Sequence, residues 1–228
     1  MATTLEDIKA QEAQAHAAAR NVEAGEGEKL SPLVRRFSLN EFAAVAEALP
    51  DDRLELINGE IIMVPPPDKI HQQRTARLIE LFAHHVNEIA ALGCQIVGSS
   101  GYYAVPKELQ QRWVAEGEEG PDDVCPDASV CYRDYLDADR RPPALLVIEV
   151  LSLAKRDRDR DLVMKPEIYA TLEIPAYWIV DRRDASVWVH TKPSEGKYTL
   201  REQCKGDNIL PAPGLEFLAM TPAQIFEQ

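Results

Sequence analysis

Long apolar runs are missing from this 228-residue chain. No stretch of 18 apolar residues occurs, so no membrane-spanning helix is expected. The first residues carry acids and no apolar segment, which reads against a secretory leader. Cysteine is sparse. Cys94, Cys125, Cys131 and Cys204 form no CxxC pair, and His16, His71, His84, His85 and His190 do not complete zinc-finger spacing. Reduced, buried thiols and a cytoplasmic location are the expectation. Aromatic residues stand at 7%, and no aromatic-rich platform for sugars is visible. That ranks a two-carboxylate glycosidase low. Basic residues are also the minority, 25 Lys and Arg against 38 Asp and Glu, for a net charge of −13. A protein that coats nucleic acid regardless of sequence needs the opposite balance.

What is present suits a globular domain: 45% apolar and 28% charged residues, enough length for a core, and no internal repeat. Residues 1–34 read as an acidic, Ala-rich arm, helical or disordered, with six acids against three bases in its first 30 positions. The folded domain is expected over 35–228. Ser38 and Glu41 have capping-box spacing ahead of a stripe of Phe42, Val45, Ala46 and Leu49. Asn58-Gly59 between Leu54–Ile57 and Glu60–Val64 predicts a β-hairpin. Asp68 can cap one long helix over about 69–92, with Leu78, Phe82, Val86 and Ile89 inward and Gly93 as the stop. Residues 107–123 read as an acidic surface insertion, six acids against two bases. Strands are expected near 94–97, 101–105, 127–132, 144–151, 177–181, 186–190 and 198–203, and a short helix near 166–172. Helices, hairpins and one fully buried strand together predict a single α/β domain with a mixed sheet.

Two acids stand out because their burial is costly. Glu149 interrupts the apolar run from Ala144 to Leu151, and Asp127 opens a strand after Pro126. A carboxylate in a core strand needs a base, hydrogen-bond donors or a metal ion. If the two strands are neighbours, both acids reach one edge of the sheet and make an oxygen site suited to Mg²⁺ or Mn²⁺. The bland alternative pairs Glu149 with a structural Arg and leaves Asp127 capping a turn.

The segments LELINGEIIMVPPP…HQQ, CPDASV, LLVIEVLS, RDLVMKPEIYA and IPAYWIVD occur in this order. Together they resemble the Uma-type family of endonucleases, part of the PD-(D/E)XK restriction-endonuclease-like superfamily, over about 35–226. The resemblance implies a mixed β-sheet flanked by helices and metal-dependent hydrolysis of DNA phosphodiester bonds. It implies Asp127 and Glu149 as metal ligands and catalytic residues. Leu151 stands where the superfamily pattern has lysine, so the basic role falls to Lys165. Glu60 matches an upstream acid that assists the metal, and His71 the histidine opening the long helix. Asp161 and Tyr169 match the pattern around Lys165. Arg74, Lys155 and Arg156 join His71 as candidate substrate contacts, with Arg158 and Arg160 in the same basic loop. The partner is then DNA, bound weakly and through metal, and a homodimer suits cleavage of both strands.

Ordinary roles compete for the same residues. Lys165 lies four after Asp161, the spacing of a surface ion pair. Pro166 places a helix start beside the lysine and so predicts a displaced side chain. Glu60 suits an exposed strand residue, His71 a first helical turn, and Tyr169, Tyr177 and Trp178 the core. The aspartates interleaved in KRDRDRD suit a solvated, self-paired loop. The acidic balance and displaced lysine keep a second function open: a catalytically inactive nuclease-fold module for interaction or regulation.

Overall fold

The computed structural model describes residues 36–57, 59–98, 103–104, 123–134, 143–152 and 158–227. The expected arm, nearly all of the 107–123 insertion, and Lys155 and Arg156 lie outside the described residues.

The capping box forms as expected. The Ser38 hydroxyl accepts from the Glu41 N–H at 3.3 Å, and the Glu41 carboxylate accepts from the Ser38 N–H at 3.0 Å. It opens α1 (Leu39–Ala48), which buries Phe42 against Leu54 and Leu56 of β1 (Leu54–Ile57). β1 turns back into β2 (Glu60–Met63), pairing from Leu54↔Met63 to Ile57↔Glu60. Gly59 sits at φ +74° in that turn, where an added Cβ would meet the Arg36 Cβ at 2.9 Å. The hairpin joins two short strands, β4 (Tyr103–Ala104) and β5 (Asp123–Val124), in a four-stranded sheet ordered β2-β1-β5-β4.

The expected long helix is broken. α2 (Lys69–Ala83) and α3 (Val86–Ala91) are separated at His84 and His85. The break re-aims the last turn and a half, so Ile89 is buried while Val86 is 53% exposed, against its place in the predicted stripe. Gly93, at φ +73°, ends the pair. β3 (Cys94–Gly98) follows, then β6 (Ala128–Tyr132), β7 (Ala144–Val150), β8 (Ala176–Asp181), β9 (Ser186–Ser194) and β10 (Lys197–Lys205). These six form a sheet ordered β10-β9-β8-β7-β6-β3. Only the β7–β8 contact is parallel, so the sheet is mixed. A parallel pair needs a crossover, and a helix supplies it.

β7 is buried on both faces, as its apolar run predicts. Leu146, Ile148 and Val150 face a core with Leu78 and Phe82 of α2, Ile89, and Ile225 of α5 (Pro222–Phe226). Val147 and Leu151 face the opposite core with the crossover-helix residues Ile168 and Tyr169. Period two therefore puts Glu149 among the second set. The crossover helix begins at residue 158, eight residues ahead of the expected start, and passes through Pro166. A π-helical turn (Arg160–Met164) runs into α4 (Lys165–Thr171), with the Lys165 N–H donating to the Arg160 carbonyl five residues back. Pro166 has no N–H for the next such bond, to the Asp161 carbonyl. The Tyr177 hydroxyl donates to that carbonyl instead, at 2.8 Å. The wider turn thus lets a proline sit inside the helix without orphaning an acceptor.

Candidate active site

Three strands and the π turn converge on one buried polar cluster. The β6–β7 ladder pairs Ala128 with Ile148 and Ser129 with Val147, and its extension brings Asp127 opposite Glu149. The Asp127 N–H donates to the Ile148 carbonyl at 3.1 Å, and Asp127 Oδ2 accepts from the Val150 N–H at 2.8 Å. These bonds fix the acid at the strand start. Glu55 enters from β1, fully buried, with Oε1 accepting from the Cys125 N–H at 3.1 Å.

Lys165 links the acids. Its side chain is 1% exposed, and its ammonium donates to Glu149 Oε1 at 2.6 Å and Glu55 Oε1 at 2.9 Å, with Asp161 Oδ1 at 3.6 Å. The Tyr169 hydroxyl, one turn on, donates to the same Glu149 oxygen at 2.9 Å. Arg160 lies 3.1 Å from Asp161 and 3.6 Å from Glu55. On the Asp127 side, Arg53 Nη1 stands 3.4 Å from Oδ1 and His71 Nε2 stands 2.9 Å from Oδ2.

The charges do not balance in favour of full ionisation. Four carboxyls, Glu55, Asp127, Glu149 and Asp161, share the site with three permanent cations, Arg53, Arg160 and Lys165. Burial pushes Glu149 up to about 8, against the pull of Lys165. Burial raises Asp161 too. For Glu55 the burial penalty is outweighed by Lys165 and Arg160, which hold it below the usual carboxylate range. Asp127 is likewise held low, because hydrogen bonding and charge from His71, with Arg53 behind them, overcome burial. Burial would lower Lys165, but Glu149, Glu55 and Asp161 raise it, so it stays an ammonium. Near neutral pH the cluster retains a proton, centred on Glu149.

A pocket of about 100 Å³ opens onto this cluster, lined by Arg53, His71, Asp127, Glu149, Arg160 and Asp161, with the Pro65–Pro67 run at its rim. The donor chemistry suits a hard divalent cation: carboxylate oxygens face the pocket, and Glu55 Oε2 is buried with no hydrogen-bond partner. Among the described residues no three acidic, His or Cys side chains already stand as a coordination shell. The acids are instead held by internal cations, which an arriving ion would have to displace.

Of the residues singled out in the sequence, Asp127, Glu149, Lys165, His71, Asp161 and Tyr169 meet here. Two do not. Glu60 is exposed at the turn end of the hairpin, opposite Ile57, two residues before the Ile62 that pairs with Glu55. Arg74 donates to the carbonyls of Ile225 and Glu227 and lies over the Phe226 ring, so it ties α2 to the C-terminal helix. Arg158 is drawn off into a bidentate pair with Asp181. The sequence reasoning missed Arg53 and Glu55. Glu55 carries the same signal as Glu149, an acid inside an apolar strand, in Leu54-Glu55-Leu56-Ile57.

The fold and the chain both have relatives. A crystal structure described as a putative nuclease belonging to DUF820, from Anabaena variabilis ATCC 29413, superposes with a TM-score of 0.58 at 20% identity. The match covers 83% of this chain and 97% of that one, and shows a shared fold. A search of curated proteins finds no match. Residues 39–223 match the Uma2 family, described as "Putative restriction endonuclease", and that span holds every side chain of the cluster. With its mixed six-stranded sheet flanked by helices and its acids gathered at the start of β6 and the end of β7, the chain belongs to the Uma2 family.

Proposed function

We propose that this chain is a Mg²⁺- or Mn²⁺-dependent endonuclease that hydrolyses DNA phosphodiester bonds. The observation that carries the reading is the meeting of Asp127, Glu149, Glu55 and Lys165 from four separate segments, with Asp127 and Glu149 lining the pocket and Glu55 and Lys165 buried behind them. Family membership supports the nuclease class. Asp127 and Glu149 would hold the cation, with Glu55 taking the assisting place first given to Glu60. When bound, the ion supplies charge at the phosphoryl oxygens and acidifies a bound water.

The chain's own residues then have distinct tasks. The Lys165 ammonium, fixed by two carboxylates, presents a donor toward charge that develops on the phosphorus oxygens. Tyr169 orients Glu149 from behind, and Tyr177 holds the π turn that places Lys165. A proton held on Glu149 by burial would have to leave for a cation to be held there, so Mn²⁺ affinity would rise with pH. Cutting both strands calls for two such sites, and a homodimer belongs to the proposal on that ground.

The test is cleavage of supercoiled DNA with Mn²⁺ or Mg²⁺ by the protein, Asp127→Ala and Glu149→Ala. Metal-dependent nicking lost in both variants supports the reading. Cleavage surviving both would overturn the site. A protein that neither binds Mn²⁺ nor cuts DNA is the non-catalytic module, a reading favoured by the internal cations that already satisfy the acids.

A further inference from the structure

We propose that Arg53 exchanges partners: it holds Asp127 while no divalent cation is bound, and turns to a backbone phosphate of the substrate once a cation takes that carboxylate. This rests on the metal-dependent nuclease reading above. Arg53 immediately precedes β1 and lines the pocket beside Asp127 and Glu149. Its Nη2 is anchored on the Cys125 carbonyl at 2.5 Å. Its Nη1 reaches Asp127 Oδ1 at 3.4 Å, long for a charge-assisted bond. Its Nε is buried with no hydrogen-bond partner. One corner of the guanidinium is therefore pinned, one is loosely held and one has a donor to spare.

Asp127 is asymmetric in the complementary way. Oδ2 accepts from the Val150 N–H at 2.8 Å and from His71 at 2.9 Å, whereas Oδ1 has the loose Arg53 contact. Oδ1 is the oxygen an arriving ion takes at least cost. Of the three permanent cations, Arg53 has the most open side chain, 20% exposed against 9% for Arg160 and 1% for Lys165. Released from Asp127 but still tethered at Cys125, its planar fork faces the pocket mouth, in the geometry that suits a phosphate.

The experiment measures Mn²⁺ binding by calorimetry for the wild type, Arg53→Gln and Arg160→Gln. Duplex binding by fluorescence anisotropy in Mn²⁺ is compared for Lys165→Met, which keeps both carboxylate ligands, and for the same variant carrying Arg53→Gln. Glutamine retains a donor for the Cys125 carbonyl, and circular dichroism checks each fold. Arg53→Gln should bind Mn²⁺ at least about tenfold more tightly, because a competing charge on Asp127 is gone. It should bind a labelled 20-base-pair duplex about tenfold more weakly, through loss of one charged phosphate contact. Arg53→Lys keeps the charge without the fork and should lose duplex affinity while leaving Mn²⁺ affinity near wild type. An equal gain from Arg160→Gln would reduce the effect to bulk charge and overturn the exchange, as would unchanged Mn²⁺ or duplex affinity in Arg53→Gln. Loss of Mn²⁺ binding in every protein, wild type included, would instead overturn the metal reading and this inference with it.

Discussion

The two faces of β7 are built to opposite rules. One presents Leu146, Ile148 and Val150 to α2 and to the C-terminal helix, with no charge among them. The other presents Val147 and Leu151, with Glu149 between them in contact with Lys165 and Tyr169. The first face gains free energy simply by excluding water. The second spends some of that gain on a buried carboxyl that only its partners make tolerable. Stability and chemistry are thus separated by less than the thickness of one strand.

Substitutions can break that separation. Lys165→Met on the polar face should lower DNA cleavage about 10²–10⁴-fold, read as nicking of supercoiled plasmid in Mn²⁺. Undiminished cleavage would remove the lysine from the mechanism. Phe82→Ala on the apolar face should cost about 3–5 kcal/mol of unfolding free energy in urea, while the folded fraction still cuts. Loss of cutting with full stability would show the faces to be coupled.

A pH experiment sharpens the comparison further along the sheet. His190 on β9 is buried beside Tyr177 and Tyr198, its Nε2 without a hydrogen-bond partner. Burial holds it down to about 4, with the Arg201 charge adding to the effect. Its folded value lies below its unfolded value near 6.5, so its contribution is full above pH 6.5 and drains as pH falls toward 4. The stability of the wild type relative to His190→Gln should therefore fall by about 2 kcal/mol between pH 7.5 and 5. A pH-independent difference would mean that His190 is not held neutral. Tyr169→Phe should cost about 1 kcal/mol in stability, with a modest loss of cleavage, since Lys165 still holds Glu149. Glu60→Ala should change neither cleavage nor Mn²⁺ affinity, because the hairpin holds it exposed at the far end from Glu55.

Much of this was readable in the residues. Glu149 was visible because an acid in an apolar strand needs a partner, and Asp127 because Pro126 and the following apolar run mark a strand start. The capping box and the hairpin carried their own local signals. Glu55 has the same signature as Glu149, yet four residues are too few for periodicity to announce a buried strand, and Glu60 drew attention by its place after Gly59. Arg53 follows two aspartates and looks like part of a solvated turn. The break at His84 and His85 leaves no Gly or Pro to mark it. Pro166 pointed to a helix start, because the residue that compensates it, Tyr177, lies on the next strand and no local pattern connects the two.

The π turn carries one last consequence. Such a turn holds one residue more than the α-helical turn it replaces. Deleting Val163, whose side chain is 66% exposed, would look harmless by composition. It would rotate everything upstream by about 100° about the helix axis, carrying Arg160 and Asp161 away from Glu55 and setting the Pro166 ring against a carbonyl. The buried polar cluster is therefore specified by residue count as well as residue identity, and at the exposed positions of this segment the chain should accept substitutions far more readily than changes in length.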